Sequence, residues 1–471
     1  MDIVVIYNRV MKIHVGPLKS HIETDNPKVL PALYTYYSHK VPGYQYSPAY
    51  KRRQWDGSKH FISKKGEFKS GLLADVIKTL AKIECKPEIV YHAGADNWEK
   101  YAGLHSTPIG DFKYYDYQES FIETALMLKR GVIKSPTGSG KTLIMAGIVQ
   151  ALKGRKMVLV FNAKLLVAQT YEFLTKECGI ENVGINSGDG FIPGDIMLTT
   201  YQSVEKILDT HLKQAEVLMV DECHEFCNGD ATLAVINSFP NAIFRIGFTA
   251  TPPTDPIPSL NLQGALGPIW EDVTTRDLIE DGVLTEPKIH LIERDYTARH
   301  EDDDMSYLDV YDKYIVNNET RNKKIVEVVN GIKSQEKQAR ILILTKSLEH
   351  GRTLERLIGG RSVYYLQGKD ELSERYKVIS KFRGSKGNSV LIGTKILQTG
   401  VNIAEITHLI NARGMKSDTA LIQALGRALR RHDSKDQVHV YDFLDKEKYL
   451  ENHSTARRRC YQREGHEVTI E

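Results

Sequence analysis

The run Ser135-Pro136-Thr137-Gly138-Ser139-Gly140-Lys141-Thr142 constrains the fold more than any other stretch of the chain. It lies between an apolar run, Gly131 to Ile133, and a helical pattern from Leu143 to Leu152, the strand-loop-helix context that a phosphate-binding loop requires. Gly138 and Gly140 let the backbone turn its N–H groups around phosphate oxygens, and the next helix offers its positive N-terminal end to the same anion. Lys141 then reaches the β- and γ-phosphates, and Thr142 sets its hydroxyl on a bridging magnesium ion. Ser135 stands where glycine is usual, at a position that needs a small residue. Pro136, Thr137 and Ser139 complete the candidate ATP-binding loop.

A second segment supplies the acids. Val217 to Val220 reads as a buried strand and delivers Asp221-Glu222-Cys223-His224 to the C-terminal edge of a parallel sheet, where ligands bind in such sheets. Asp221 is expected to hold the magnesium, and Glu222 to orient and deprotonate the water that attacks the γ-phosphate. Cys223 and Cys227 lack a second ligand pair at zinc-like spacing, so the segment is not read as a metal centre.

The 471 residues suggest about three domains of 100 to 200 residues. Residues 1–105 carry short mixed apolar runs without nucleotide motifs and are expected to form an accessory α+β domain. Residues 106–285 alternate strand-like runs (Met157 to Phe161, Ile196 to Thr200, Val217 to Val220, Ile243 to Phe248) with helical segments, which predicts a parallel α/β domain. After a polar, acidic stretch ending at Pro287, residues 286–471 repeat the pattern with Ile289 to Ile292, Ile341 to Leu344 and Val390 to Ile392. The acidic run Glu301 to Asp304 reads as a solvated loop. Hydrophobic residues make up 41%, and no apolar stretch approaches the roughly 20 residues that span a bilayer, so no membrane role is expected. The five cysteines and the lack of a leader pattern suggest an unprocessed protein of a reducing, cytoplasmic compartment, the host's if the chain is viral; Met11 is an alternative start.

In the last third, Gln423-Ala424-Leu425-Gly426-Arg427-Ala428-Leu429-Arg430-Arg431 places Arg427 and Arg430 three apart, hence on one face of an expected helix. Two guanidinium groups there can meet the γ-phosphate as arginine fingers, so that bound ATP drives domain closure and its hydrolysis releases it.

Taken in order, these segments resemble the motif series of superfamily 2 helicases of the DExH kind across residues 115 to 431. Tyr117-Gln118 is similar to the family's adenine-recognition motif, Ser135 to Thr142 to motif I, Asn162 to Gln169 to motif Ia, and Thr199 to Ser203 to the next strand-binding motif. Asp221 to His224 resembles motif II, Thr249-Ala250-Thr251 motif III, Leu344-Thr345 motif IV, Thr394 to Asn402 motif V, and Gln423 to Arg430 motif VI. The resemblance implies two tandem RecA-like parallel-sheet domains, ATP and Mg²⁺ as cofactors, Gln118 reading adenine, and coupling through His224, Thr249, Thr251 and Gln423, with His224 acting through motif VI. Threonine hydroxyls and backbone N–H groups at strand ends suit phosphate oxygens and carry no base information, which fits Thr199, Thr200, Thr345 and Thr394 to a sequence-blind grip on one strand.

The N-terminal segment narrows the resemblance. Tyr44, Pro48, Lys51-Arg52-Arg53, Trp55-Asp56-Gly57, Lys59, Lys64, Lys65 and Lys69 before Gly71-Leu72 look like the small first domain of UvsW-type bacteriophage helicases. That group implies 3′ to 5′ action on branched DNA: fork regression, Holliday junction migration, and unwinding of R-loops or D-loops. The basic residues Lys51, Arg52, Arg53, Lys59, Lys64 and Lys65 are the candidate DNA contacts. Trp55 is expected to anchor a small core with Asp56-Gly57 as a hairpin turn. Arg457-Arg458-Arg459 suggests a second basic surface, for DNA or for solvent. The expected state is a monomer without an obligate protein partner. Rival readings are an RNA helicase, a duplex translocase that leaves strands paired, and a nucleic-acid-binding scaffold with a vestigial ATPase.

Overall fold

The computed structural model describes residues 11–92, 104–188, 190–206, 213–227, 229–293, 304–367, 370–394, 403–416, 418–433 and 435–471. The chain divides into two compact units, Met1–Ser135 with Gly140–Asp272, and Pro136–Ser139 with Val273–Glu471. No described helix is long and apolar enough to cross a membrane.

The first unit begins with β1 (Met11–Val15), β2 (Lys19–Thr24), α1 (Val29–Tyr36), β3 (Ser38–Lys40), α2 (Pro48–Lys51), β4 (Ser58–His60), β5 (Glu67–Lys69), α3 (Leu73–Lys82) and β6 (Glu88–Tyr91). Four of these strands form a sheet in the order β5-β2-β1-β6, while β3 and β4 pair separately. Strict alternation selects the buried face: Met11, Ile13 and Val15 pack with Ile22 against Leu33, Val76 and Leu80, and Lys12 and His14 take the other face.

The same unit continues with α4 (Asp116–Leu128), β7 (Arg130–Lys134), α5 (Lys141–Ala151), β8 (Met157–Phe161), α6 (Lys164–Glu172), β9 (Val183–Ser187), β10 (Gly190–Ile192), β11 (Ile196–Thr200), β12 (Val217–Val220), α7 (Asp230–Asn237), β13 (Phe244–Thr249), α8 (Pro256–Leu266) and β14 (Ile269–Glu271). These strands order as β10-β9-β11-β8-β12-β13-β7-β14, with β10 antiparallel to β9 and the other pairs parallel. Every residue of β8, β11 and β12 is buried, as continuous apolar runs covered on both faces should be. Gly71 fastens the small sheet to this one: a Cβ there would lie 2.1 Å from the Gln263 carbonyl of α8, so only glycine permits the approach. Arg130 reinforces the junction by donating to the Pro17 carbonyl.

The second unit holds α9 (Thr275–Glu280), β15 (Glu286–Glu293), α10 (Tyr307–Tyr311), α11 (Glu319–Gln335), β16 (Arg340–Leu344), α12 (Leu348–Ile358), β17 (Val363–Leu366), α13 (Leu372–Arg383), β18 (Ser389–Gly393), β19 (His408–Asn411), α14 (Asp418–Ala428), β20 (Gln437–Leu444), α15 (Leu450–Arg463) and β21 (Val468–Ile470). Its sheet, β17-β18-β16-β19-β20-β15-β21, is parallel at each pair. Ile341, Ile343, Val390, Ile392 and Ile410 meet Ile325, Val329 and Leu354 in its core. The expected fold, two parallel α/β domains with a small α+β domain in front, is the observed one.

One segment differs from expectation. Arg457 is not a surface residue: it is 2% exposed, its Nε donates to Asp442 Oδ2 at 2.9 Å, and its Nη2 donates to the Phe443 carbonyl at 2.9 Å. Arg321 makes a parallel bond to Asp445 at 2.8 Å with both side chains fully buried, and Tyr461 donates to Asp442 at 3.0 Å. Paired, hydrogen-bonded charges of this kind knit α11 and α15 to the end of β20. Of the acidic run, Glu301 to Asp303 lie outside the described residues.

Candidate nucleotide site and nucleic-acid interface

The phosphate loop leaves β7 beside the end of β13, where the Ser135 N–H donates to the Thr249 carbonyl at 3.1 Å. Gly138 and Gly140 adopt φ of 93° and 78°, the left-handed region that side chains disfavour. Helix α5 starts at Lys141 with Gly140 as its N-cap, and the Lys141 ammonium donates back to the Ser135 carbonyl at 3.1 Å. Thr142 sits half-buried on the first turn, where unpaired N–H groups give the helix end its positive character.

Gln118 lies against this loop. A Cβ added to Gly140 would stand 2.5 Å from its Nε2, so the amide occupies the space directly over the glycine. The first turn of α4 holds Gln118 there, since its Oε1 accepts from the Tyr115 N–H at 3.1 Å and Nε2 lies 3.4 Å from the Tyr117 hydroxyl. Beside it the rings of Tyr115 and Tyr117 stack, centroids 5.8 Å apart. The proximity of Gln118 to Gly140 is a tertiary contact that no local pattern announces.

The acidic pair emerges from β12, between β8 and β13, with the Asp221 N–H held by the Val160 carbonyl at 2.9 Å. Glu222 has φ 44° and ψ 46°, a left-handed conformation uncommon outside glycine, asparagine and aspartate. Its Oε2 is buried and has no hydrogen-bond partner among the described residues, lying 3.5 Å from His224 Nδ1. That same Nδ1 is 2.8 Å from the Thr249 hydroxyl, which accepts from the Thr251 N–H at 3.0 Å. Within the first unit His224 is therefore tied to the Thr249 to Thr251 segment. Nearby, Cys227 donates to the His224 carbonyl at 2.8 Å, and burial pushes its thiol up to about 11.

The threonines at strand ends are more enclosed than their proposed role required. Thr199 and Thr200 are 0% and 2% exposed; their hydroxyls donate to the Thr200 carbonyl at 3.2 Å and to Ser203 at 3.1 Å. In the second unit Thr345 is fully buried with an unpartnered hydroxyl among the described residues, and its N–H donates to the Gly393 carbonyl at 3.1 Å. Thr394, half-buried, follows β18 at the same C-terminal edge, whereas Gln398 to Asn402 lie outside the described residues.

Arg427 and Arg430 do not share a helix face. Helix α14 ends at Ala428; Arg430 sits in an antiparallel bridge with Leu284, and the Thr285 N–H donates to the Leu429 carbonyl at 2.8 Å. This backbone pairing draws the chain out of the helix. The two cations still act on each other: burial and then Arg427 bring the Arg430 guanidinium down to about 10. Gln423 and Arg427 are half-buried on α14.

In the small N-terminal domain, Lys51, Arg52, Arg53, Lys64 and Lys65 are exposed and Lys59, on β4, is half-buried. Trp55 is half-buried, donating to the Ser58 carbonyl at 2.8 Å. Asp56-Gly57 makes a turn, with Asp56 Oδ1 accepting from the Ser58 N–H at 2.9 Å and Gly57 at φ 79°. It is not a two-residue hairpin, because the strand it enters, β4, pairs with β3 across the longer 41–57 loop.

Residues 111–254 match the family described as type III restriction enzyme, res subunit, and residues 315–432 match the helicase conserved C-terminal domain. The chain belongs to the superfamily 2 helicases. It is an ATP-hydrolysing enzyme and resembles the UvsW group in particular. The helicase is 25% identical over 463 residues to the ATP-dependent DNA helicase uvsW of Enterobacteria phage T4, covering 92% of this chain and 90% of that protein. Against the DNA 3'-5' translocase XPB2 of Sulfurisphaera tokodaii it is 24% identical over 360 residues, 68% of this chain and 79% of the other. Its fold is similar to that of S. cerevisiae Dbp5 bound to RNA and ADP BeF3, with a TM-score of 0.54 at 16% identity over 74% of this chain and 89% of that one.

Proposed function

We propose that this helicase uses ATP and magnesium to remodel branched DNA, regressing forks, moving Holliday junctions and unwinding R-loops or D-loops in the 3′ to 5′ direction. The observation that carries the reading is the junction at Gly71: the small N-terminal domain, which exposes Lys51, Arg52 and Arg53 at the end of α2 and the turn after it, packs at this glycine against α8 of the α/β sheet that holds the phosphate loop. Likeness to the ATP-dependent DNA helicase uvsW of phage T4 across 92% of the chain supports DNA as the substrate.

The donor set fits a magnesium nucleotide. Two left-handed glycines form the loop, a buried glutamate oxygen lacks a hydrogen-bond partner among the described residues, and the oxygens of Thr142 and Asp221 are the hard donors magnesium takes. When bound, the ion neutralises charge on the phosphates. In this reading the loop from Ser135 to Thr142 cradles the phosphates, Lys141 stabilises their developing charge, Glu222 takes the proton of the attacking water, and Gln118 recognises adenine. Arg427 and Arg430 act on the transferred phosphate. His224, Thr249, Thr251 and Gln423 relay its loss, and Thr199, Thr200, Thr345 and Thr394 lie along the strand's path. Residues 106–285 and 286–471 serve as the two motor domains behind an accessory domain of residues 1–105, in a monomeric, cytoplasmic enzyme.

A second reading, translocation along duplex DNA without strand separation, is favoured by the likeness to a 3'-5' translocase. Junctions and tailed forks compared with triplex displacement separate the two. Release of strands from 3′-tailed forks and junctions supports the first; triplex displacement without strand release supports the second.

A further inference from the structure

Past the ends of β16, β19 and β20, at the C-terminal edge of the second sheet, aromatic rings and lysines collect in an arrangement that ATP hydrolysis does not require. Tyr307, the first residue of α10, has its ring 6.1 Å from that of Tyr449 at 83°, and 5.4 Å from the His453 imidazole. Tyr311, one turn later, is buried and donates to the Arg413 carbonyl at 2.7 Å. Under these rings lie Val310, Ile315, Val316 and Leu450, a small apolar base that fixes them.

Two lysines stand against the rings. Lys346, exposed and next to Thr345, holds its ammonium 5.5 Å from the Tyr307 ring centre and 4.7 Å from that of Tyr311. Lys448 lies 5.0 Å from the Tyr449 ring centre. Two acids of the same segment are taken up locally: Asp309 accepts from the Ser306 hydroxyl at 2.6 Å, and Asp312 from the Asn317 amide at 3.0 Å. Burial, opposed by a bond to the Gly414 carbonyl, combines with Arg457, Lys416 and Lys346 to hold the His453 imidazole below its ordinary value.

Tyr449 is also held in an unusual way. Its φ of 65° and ψ of −39° are a backbone state that bulky side chains rarely adopt, and the residue is 40% exposed although Leu450, the next residue, is fully buried.

We propose that Tyr449, braced edge-on by Tyr307 and flanked by Lys346 and Lys448, forms a stacking platform for an unpaired base of single-stranded DNA, with the lysines on the neighbouring phosphates. Every base presents a π-face, so such a platform is indifferent to sequence, and the lysines complement the backbone charge. Lys346 directly follows Thr345, which places the platform beside the backbone contacts proposed above. The inference rests on that reading and adds a base contact to a grip otherwise made on phosphates.

The test uses the full chain and a labelled oligothymidine of about 20 nucleotides, read by fluorescence anisotropy, beside a blunt duplex and an RNA oligonucleotide of equal length. Tyr449→Ala weakens oligothymidine binding by roughly five- to a hundred-fold, Tyr449→Phe retains it, and the blunt duplex changes less than about two-fold. Basal ATPase without nucleic acid stays at the wild-type level and reports folding. Lys346→Ala, an exposed change with no fold to disturb, weakens the same oligonucleotide and lessens its salt dependence. Unchanged oligothymidine affinity in either alanine variant, equal loss on the blunt duplex, or loss confined to RNA overturns the platform. If the unmodified chain binds neither DNA nor RNA, the functional reading fails first.

Discussion

His224 Nδ1 lies 2.8 Å from the Thr249 hydroxyl and 3.5 Å from the unpartnered oxygen of Glu222, so one imidazole joins the acid of β12 to the strand end of β13. If this link transmits the state of the nucleotide, His224→Ala leaves ATP affinity within about three-fold but lowers DNA-stimulated turnover by roughly ten-fold or more, and Thr249→Val does the same. Binding of a fluorescent ATP analogue and steady-state turnover check it. Full stimulation in both variants contradicts the link.

Glu222→Gln keeps the side chain's shape and removes its basicity. The variant binds ATP and DNA, while hydrolysis falls by about 10² to 10⁴. Turnover near the wild-type rate in a single-turnover assay contradicts Glu222 as the base.

Replacing Lys51, Arg52 and Arg53 together with alanine spares basal ATPase and weakens branched-DNA binding. The slope of log affinity against log salt drops by about one for each phosphate that the variant no longer neutralises. Junction affinity unchanged across a salt series refutes a clamp on the small N-terminal domain.

Neighbouring arginines on α15 separate sharply. Arg457→Ala strands Asp442 in the interior and costs about 3–5 kcal/mol, whereas Arg458→Ala, at an exposed position, stays within about 0.5 kcal/mol. Chemical denaturation of both variants decides this. Equal stabilities would contradict the buried network.

Burial, aided by Arg321, holds His350 down to about 3; burial with His439 and His290 does the same to His408; burial with Arg276 lowers His466 to about 4, each from 6.5. The unfolded chain therefore binds more protons than the folded one between those values and about 6.5. The stability these groups confer is full above that pH and is lost as pH falls through this window. Thermal melts near pH 7.5 and pH 5.5 show a lower Tm for the second unit in acid, and equal values contradict the assignment.

Much of this fold was legible because buried parallel strands are written as unbroken apolar runs. The bounds read for β8, β11 and β12 coincide with those observed, and β13 was displaced by one residue. Long-range pairing was not legible. A spacing of three puts Arg427 and Arg430 on one face only while the helix lasts, and it stops where Leu429 and Arg430 meet Leu284 and Thr285. The partner of His224 and the amide of Gln118 over Gly140 are likewise contacts between distant segments. Arg457 did carry a signal. Leu450, Ser454, Arg457 and Tyr461 recur at helical spacing and are the buried face of α15, a pattern the triple arginine obscured.

Steady-state ATPase of the wild-type chain and Lys141→Ala, without nucleic acid and with single-stranded DNA, duplex, a synthetic Holliday junction or single-stranded RNA, tests the central claim most directly. The account predicts strongest stimulation by DNA, junction dissociation in the same reactions, and loss of both in Lys141→Ala. Stimulation by RNA alone, or none by any nucleic acid, would contradict a branched-DNA motor.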